Sequence, residues 1–245
     1  MNCTSKSHRP KSQLQTNQAG LFARAEMRGN KPIEALPHFQ RELALMQRGF
    51  VRIAGVDEAG RGAWAGPVVA AAVILPCTPE AVAQLAGVND SKKLTAKQRE
   101  AMREIVQRVA LAWAVGSAGN DEIDALGILP ATRLAMGRAV EGLALQADAL
   151  LIDAVRLPAV KLHQQAFNFA DSISLSVAAA SILAKTARDA LMCELDGQIT
   201  GYRFTLHKGY GTRAHRQCLH VLGPSPAHRR SFKPIRSMSG GQADQ

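Results

Sequence analysis

Two short apolar segments of the chain each end in carboxylates. The first reads Ile53-Ala-Gly-Val-Asp-Glu58, and the second, Leu150-Leu-Ile-Asp153, has the same form. Apolar runs of this length predict buried strands. Neighbouring side chains of a strand point to opposite faces, so Asp57 and Glu58 can serve one site only if the chain bends there. The glycines that follow Glu58 supply such a bend.

The rest of the chain alternates between strand and helix patterns. Strands are predicted at 51–56, 66–75, 111–117 and 149–153, and helices at 33–48, from Thr95, across 120–143, at 175–195 and at 213–222. This order implies an α/β fold, in which a mixed central sheet is flanked by helices. Residues 1–33 are basic and polar and predict a flexible extension. Residues 34–200 form the central domain, 201–236 a small helical C-terminal subdomain, and 237–245 a disordered tail.

The charge of the chain favours a polyanionic partner. Lys and Arg number 30 against 20 Asp and Glu, which gives a formal net charge of +10. Nucleic acid is a partner of this kind, although a merely basic soluble protein has the same composition. At 245 residues and 47% hydrophobic, the chain is long enough to bury a core of its own.

Cysteine spacing and hydropathy bear on location. The four cysteines, Cys3, Cys77, Cys193 and Cys218, form no C-x-x-C pair, which favours a reduced cytoplasmic compartment. The longest apolar run, 68–75, is far shorter than the ~20 residues of a membrane span. The basic N-terminus lacks the apolar stretch of a secretory signal. We therefore expect a cytoplasmic protein with no membrane partner, and a monomer is the default.

Carboxylates at strand ends suit a hard cation. Mg²⁺ and Mn²⁺ prefer carboxylate and water oxygens, so several acids must converge for either ion. Taken singly, each acid is more typical of a helix cap, a solvated loop or a turn. The local pattern alone therefore favours a structural role over a metal site.

An ordered set of motifs decides between these alternatives. Gly55-Val-Asp-Glu-Ala-Gly-Arg-Gly62, followed by Gly66-Pro-Val-Val-Ala-Ala-Ala-Val-Ile74, closely resembles the opening motif of bacterial ribonuclease HII. Further matches follow in the family's order: Asn89-Asp-Ser-Lys-Lys-Leu94, Leu151-Ile-Asp153, Ala178-Ala-Ala-Ser-Ile-Leu-Ala-Lys185 with Arg188-Asp189, His207-Lys-Gly-Tyr-Gly-Thr212 and His228-Arg-Arg-Ser-Phe232. The resemblance covers about residues 39–235, and an ordered set is far more specific than one short motif.

The resemblance implies a ribonuclease H-like catalytic domain at 34–200 and a substrate-binding subdomain at 201–236. It also implies a four-carboxylate site for Mn²⁺ or Mg²⁺, which maps onto Asp57, Glu58, Asp153 and Asp171. Asp171 follows Phe169 and Ala170, where the family has a lysine and a small residue. Asp189 is the competing candidate, although pairing with Arg188 or Lys185 is its alternative role. Ala154 replaces a family glycine.

Substrate contacts are implied in the same way. The backbone of Gly60, Arg61 and Gly62 would read the ribose 2′-hydroxyl, and Tyr210 would pack against the sugar at the RNA–DNA junction. Local pattern alone gives a tight turn for the first and simple packing for the second. Candidates for phosphate contacts are Lys92 and Lys185, together with Lys93, Lys208, Arg229 and Arg230. His207, His215, His220 and His228 are not spaced like zinc ligands and are expected on the surface or in the core.

The implied activity is metal-dependent hydrolysis of the RNA strand of RNA–DNA hybrids. It includes nicking of DNA duplexes 5′ of embedded ribonucleotides, with 3′-hydroxyl and 5′-phosphate products and a role in replication and repair. A ribonuclease HI or a junction resolvase on the same fold is the nearer alternative. A non-catalytic nucleic-acid-binding protein on a degenerate nuclease fold is the other, and the presence of all four acids disfavours it.

One short motif of the extension suggests a partner. Gln18-Ala-Gly-Leu-Phe22 resembles the peptides that dock on bacterial sliding clamps. A chance match is the alternative, because short motifs recur freely in polar segments.

Overall fold

A computed structural model describes residues 36–239 of the chain. The predicted extension 1–33, its 18–22 motif and residues 240–245 therefore lie outside the described residues. Residues 237–239 belong to a helix, so the predicted tail does not begin at residue 237.

Five strands form the central sheet: β1 Ile53–Ala59, β2 Val68–Ile74, β3 Ala112–Ala118, β4 Ala149–Asp153 and β5 His163–Phe167. Their order in the sheet is β3-β2-β1-β4-β5. β1, β2 and β3 pair antiparallel, while β4 pairs parallel with both β1 and β5. The sheet is mixed, as the sequence predicts. β1 and β4 are adjacent and run in the same direction, so their carboxyl ends lie side by side.

The helices of the described residues are α1 Gln40–Met46, α2 Pro79–Gln84, α3 Ala96–Val109, α4 Asn120–Leu126, α5 Ile128–Glu141, α6 Leu175–Gln198, α7 Phe204–His207, α8 Arg213–Leu222 and α9 Lys233–Ser239. Polar side chains fix several of their beginnings. Thr95 and Gln98 form a capping box at α3, and Ser174 and Thr212 cap α6 and α8. Among these helices, none combines the length and apolar character of a membrane-spanning segment.

Alternate residues of the strands bury the two faces of the sheet. Val56, Ala70 and Ala72 pack with Met136 of α5 on one face. On the other face, Ala71 and Val73 pack with α3 and with the small residues of α6. The helices therefore flank the sheet on both sides, which is the predicted α/β architecture.

Close contact between α6 and β1 depends on Gly55. A Cβ at this position would lie 2.1 Å from the carbonyl carbon of Ser176, a distance at which the backbone of one element would have to move. Residues 175–184 of α6 are all buried, and most of them are alanine or serine. Small residues thus bring α6 against the strand that carries Asp57.

Several predicted boundaries were wrong. The helix expected at 33–48 begins only at Gln40, because Pro37 disfavours helix at the residue before it and His38 pairs with Ser174 in a β-bridge. The helical stretch 120–143 is two helices, separated at Gly127, whose φ is 82°. β5, an edge strand of half-buried residues, was not predicted.

The C-terminal residues pack around aromatic rings. Tyr202, Phe204, Leu219 and Ile235 form a hydrophobic cluster that also includes Ala65 from the β1–β2 connection. Arg229 N–H donates to the carbonyl of Trp64, and Trp64 N–H donates to that of Gly209. The segment predicted as a subdomain is therefore fastened to the connection that follows β1.

Candidate active site

Three carboxylates meet at the carboxyl ends of β1 and β4. One oxygen each of Asp57, Glu58 and Asp153 lies within 4.8 Å of the others. The register pairs Val56 with Ile152, so Asp57 and Asp153 occupy the next step of two neighbouring parallel strands. The predicted strand 51–56 ended before Asp57 and Glu58 and placed them in the following turn. In the structure both residues lie inside β1. β1 is longer because its ladder with β2 continues to Ala59 and Val69.

Asp171 approaches the same edge from a short 3-10 turn, Ala170–Ser172. Phe169, just before this turn, has a left-handed backbone with φ 58°. The backbone N–H of Ala170 donates to Asp153 Oδ1 at 2.9 Å. Asp171 stands outside the 4.8 Å group, but its charge is close enough to raise the pKa of Asp57. The structure thus brings the fourth predicted acid beside the other three.

The competing candidate, Asp189, is occupied elsewhere. Asp189 Oδ1 accepts a hydrogen bond from Lys185 Nζ, one turn earlier on α6. Its other oxygen lies 3.7 Å from Arg99 Nη2 on α3. The structural role with Lys185 is therefore what the geometry shows for Asp189, with Arg99 in place of Arg188 as its second partner.

Burial and mutual repulsion work against ionisation of the acids. Burial raises the pKa of Asp57 well above its ordinary value, and the charges of Glu58, Asp153 and Asp171 raise it further. Burial, followed by the charge of Asp90, raises the pKa of Asp171 to about 6. Metal-free, the site therefore holds carboxylates that resist losing their protons together.

Glu58 is the least satisfied of the four acids. Its Oε1 forms an ion pair with Arg61 Nη1 at 2.9 Å. Its Oε2 is buried and has no hydrogen-bond partner. A buried carboxylate oxygen without a partner costs free energy, and a cation among three converging carboxylates would remove that cost. The donor set, all carboxylate oxygen, fits a hard divalent ion such as Mg²⁺ or Mn²⁺.

Two of the predicted substrate contacts, Lys92 and the residues that follow β1, lie beside this cluster. Gly60, Arg61 and Gly62 form the turn that follows β1, hereafter the 60–62 turn. The Lys92 ammonium lies 3.7 Å from Asp171 Oδ2, and the Lys92 side chain is 79% exposed. The Lys185 ammonium lies 5.8 Å from the ring centroid of Tyr210, and the Arg188 guanidinium 5.2 Å from it. Lys185 and Tyr210 are thus neighbours.

Arg229 differs from its predicted role. It was a candidate for phosphate contacts, but the side chain is fully buried and donates to backbone carbonyls of the β1–β2 connection. A buried guanidinium bound to its own chain is not available to a phosphate of a duplex. The motif His228-Arg-Arg-Ser-Phe232 singles out Arg229 in the sequence, but it does not distinguish a phosphate contact from a structural role.

The histidines of the C-terminal segment are core residues, with one exception. His207, His215 and His228 are buried and in contact, whereas His220 is exposed. The His215 ring also contacts the backbone carbonyl of Tyr210, with Nδ1 at 3.1 Å. These rings support the loop of Tyr210, and zinc coordination is not needed to explain them.

A mixed sheet that brings four carboxylates to one edge, beside a Gly-rich turn and in a chain of net charge +10, defines a metal-dependent nuclease of the ribonuclease H-like fold. Comparison with known proteins gives the family. Residues 54–235 match the family model of ribonuclease HII. The chain is 54% identical to ribonuclease HII of Chloroflexus aurantiacus over 82% of this chain and 95% of that protein. It is 52% identical to that of Desulfitobacterium hafniense, over 83% and 76% respectively. The chain belongs to the ribonuclease HII family.

Solved structures agree with the fold. Ribonuclease H2 of Pyrococcus horikoshii superposes with a TM-score of 0.65 at 24% identity, over 78% of this chain and 98% of that one. Archaeoglobus fulgidus ribonuclease HII, solved in a complex with PCNA, gives 0.64 at 25%, over 75% and 96%. A Bst ribonuclease HIII in complex with Mn²⁺ gives 0.59 at 21%, over 81% and 72%.

Family membership establishes the activity in outline. The chain is a ribonuclease H, an endonuclease that hydrolyses the RNA of RNA–DNA hybrids with the help of a divalent metal ion. The expectations of fold, family, enzyme class and metal dependence are confirmed.

Proposed function

We propose that this ribonuclease H nicks DNA duplexes on the 5′ side of embedded ribonucleotides, as well as cutting the RNA strand of hybrids, and leaves 3′-hydroxyl and 5′-phosphate ends. One observation carries the proposal: the carboxylates of Asp57, Glu58 and Asp153 converge within 4.8 Å directly before the 60–62 turn. Hydrolysis and sugar recognition then fall on adjacent residues. The biological role would be removal of ribonucleotides during replication and repair.

Asp57, Glu58, Asp153 and Asp171 are the proposed catalytic residues and metal ligands. When bound, two Mn²⁺ or Mg²⁺ ions would activate a water for in-line attack on the phosphate and stabilise the leaving 3′-oxygen. Asp57 and Asp153 sit on paired strands, which holds their oxygens in a fixed relation before substrate arrives. Asp171 is tied to Asp153 through Ala170, so both acids keep one arrangement.

The remaining proposed residues hold the substrate. The backbone of Gly60, Arg61 and Gly62 would read the ribose 2′-hydroxyl, which distinguishes RNA from DNA. Tyr210 would pack against the sugar at the junction. Lys92 and Lys185 would contact phosphates, and the exposed Lys92 ammonium beside Asp171 is well placed for one near the cut.

A cleavage assay tests this function. The substrates are labelled duplex DNA with one embedded ribonucleotide, the all-DNA duplex of the same sequence and a long RNA–DNA hybrid, each with Mn²⁺, Mg²⁺ or chelator. We expect metal-dependent nicking 5′ of the single ribonucleotide and no cutting of all-DNA duplex. Well-folded protein that cuts neither ribonucleotide substrate would favour the non-catalytic alternative. Cutting of the long hybrid alone would point to another type of ribonuclease H.

The proposal also includes a partner, a location and a subunit state. The 18–22 motif would contact a sliding clamp, and the structure of A. fulgidus ribonuclease HII in a complex with PCNA supports this proposal. Binding of an 18–22 peptide to a clamp, compared with binding of a peptide in which Leu21 and Phe22 are replaced by Ala, is the measurement.

The described cysteines Cys77, Cys193 and Cys218 are free thiols, which supports a cytoplasmic location. We propose that the chain acts as a monomer.

A further inference from the structure

Arg229 donates hydrogen bonds to three carbonyls of one short segment. Its Nη2 lies 2.8 Å from the carbonyl oxygen of Gly60, its Nη1 2.9 Å from that of Arg61, and its Nε 3.0 Å from that of Gly66. The side chain is completely buried. Burial lowers the pKa of Arg229 to about 9. A buried cation costs free energy unless its donors are hydrogen-bonded. The three carbonyls must therefore stay in this arrangement for Arg229 to remain buried.

Arg188 also donates hydrogen bonds to this segment. From α6 it donates to the carbonyls of Ala65, Pro67 and Lys208, at 3.2, 2.9 and 3.0 Å. It also packs against Gly60, where a Cβ would lie 1.8 Å from Arg188 Nε. Two buried arginines from distant parts of the chain therefore fix the backbone of the 60–62 turn and the residues after it.

By binding two carbonyl groups, Arg229 also determines the direction of the N–H groups of the same two peptides. In a trans peptide the N–H points opposite to the C=O. Because the carbonyls of Gly60 and Arg61 face Arg229, the N–H groups of Arg61 and Gly62 face away from it. Neither N–H has an acceptor among the described residues, and both residues are exposed. The turn therefore presents two adjacent free donors at the surface.

Space at Gly62 is consistent with a ligand there. A Cβ at Gly62 would meet no atom within 4 Å, and the residue is not among those with positive φ. The fold alone does not require glycine at this position. Arg61 also contacts Glu58 at 2.9 Å, which places the free donors beside the carboxylate cluster.

We propose that Arg229 is a positioning residue for ribose recognition, which it performs by orienting the Gly60–Arg61 and Arg61–Gly62 peptide groups so that their N–H groups can donate to a 2′-hydroxyl. The proposal rests on the proposed role of the 60–62 turn and deepens it. Arg229 itself touches no substrate. Its loss should reduce the preference for a ribonucleotide and leave general affinity for duplex DNA unchanged, because phosphate contacts come from other residues.

The test is a binding measurement on the full-length chain. Ca²⁺ replaces Mn²⁺ so that the duplexes are bound without being cut, and Kd is measured for duplex DNA with one ribonucleotide and for the all-DNA duplex. In Arg229→Gln we expect the ratio of the two Kd values to fall by about tenfold, the effect of one to two lost hydrogen bonds. The Kd for all-DNA duplex should stay within about twofold of wild type.

Two further variants separate positioning from folding. Arg229→Lys keeps a positive charge but places its donors on one nitrogen, which cannot reach three carbonyls, so it should lose the preference as well. Tyr202→Phe removes the hydrogen bond from the Tyr202 hydroxyl to the Gly223 carbonyl at 2.7 Å, which lies in the same C-terminal segment as Arg229 and outside the turn. It should lower Tm without changing the preference. A ribonucleotide preference retained in folded Arg229→Gln or Arg229→Lys, or lost equally in Tyr202→Phe, would overturn the proposal. Wild-type protein that binds both duplexes equally would overturn the proposed role of the turn as well.

Discussion

Asp153 Oδ1 accepts a hydrogen bond from the backbone N–H of Ala170 at 2.9 Å, and this contact joins the end of β4 to the turn that carries Asp171. The two residues are 17 positions apart in the sequence, and the motif that ends at Asp153 does not include Ala170. Their contact explains how a short, irregular turn can hold a carboxylate against a rigid sheet edge. It also means that the geometry of the third and fourth acids is set together.

The repulsion among these acids predicts that Asp57→Asn stabilises the metal-free protein. Because the pKa of Asp57 is raised, the folded state binds a proton more tightly than the unfolded state, and stability is lost as pH rises through the folded-state pKa. A neutral amide removes this loss. At pH 7.5 in chelator, Tm should rise by about 2–4 °C for each kcal/mol gained.

Thermal unfolding with and without Mn²⁺ is the measurement. Mn²⁺ should raise the Tm of wild type much more than that of Asp57→Asn, since binding to the native state alone is stabilising. Glu141→Gln, an exposed position at the end of α5, is the control for loss of one negative charge. An Asp57→Asn protein that melts below wild type in chelator would contradict the proposed repulsion.

Replacement of the two glycines of the 60–62 turn by alanine should have different effects on stability and on cleavage. Gly60 has φ 90° and no room for a Cβ beside Arg188, so Gly60→Ala should destabilise the fold by about 1–3 kcal/mol or more. Gly62→Ala meets no neighbour and should leave Tm nearly unchanged. Cleavage at a single ribonucleotide should nevertheless fall, because the added methyl group stands where the sugar would approach.

Urea unfolding and single-turnover cleavage of the two variants check this prediction. If Gly62→Ala cut the single-ribonucleotide duplex as fast as wild type, close approach of the sugar to this backbone would be wrong. If Gly60→Ala were as stable as wild type, the contact with Arg188 would be wrong.

The sequence predicted elements whose pattern is local. β4, α3 and α8 were placed within a residue or two, because an apolar run or a capping residue marks each of them. β5 was missed, since an edge strand such as His163–Phe167 needs no apolar alternation when only one neighbour pairs with it. The length of β1 depends on its ladder with β2, which no local pattern shows.

The residues of the site that lie at strand ends could be predicted from the sequence, and the others could not be predicted from local pattern. The acids on β1 and β4 follow from strand ends and motif order. Asp171 depended on resemblance, because its turn has no regular pattern and is held by the contact of Ala170 with Asp153. The role of Arg229 could not be predicted, since burial and bonds to carbonyls more than 160 residues away arise only in the folded chain.

The buried histidines predict a pH dependence of stability. Ser225 N–H donates to His228 Nδ1 at 2.9 Å, which leaves His228 Nε2 as the donor to His215 Nε2, also at 2.9 Å. His215 Nδ1 is then free to donate to the Tyr210 carbonyl. Each ring is therefore neutral in this arrangement. Burial, the largest cause, lowers the pKa of both His215 and His228 to about 4.

The sign follows from the ordinary histidine pKa of about 6.5. Because the unfolded state binds protons more readily, the contribution to stability is present above that value and is lost as pH falls from about 6.5 towards 4. His228→Gln should be less stable than wild type at pH 7.5, and its stability should depend less on pH in this window. Chemical denaturation in chelator from pH 7.5 to 4.5 measures both, and the carboxylates contribute equally to the two proteins. Parallel profiles would contradict a neutral, buried His228.

The central claim, that Asp57, Glu58, Asp153 and Asp171 together perform the cut, is tested most directly by single-turnover cleavage of a duplex with one ribonucleotide. Wild type is compared with Asp57→Asn, Glu58→Gln, Asp153→Asn, Asp171→Asn and Asp189→Asn, each shown to be folded, at fixed Mn²⁺. We predict that each of the first four loses at least ~100-fold in rate, while Asp189→Asn retains more than about a tenth of it. Wild-type rates in Asp171→Asn, or a loss in Asp189→Asn as large as in Asp57→Asn, would contradict the four-carboxylate site described here.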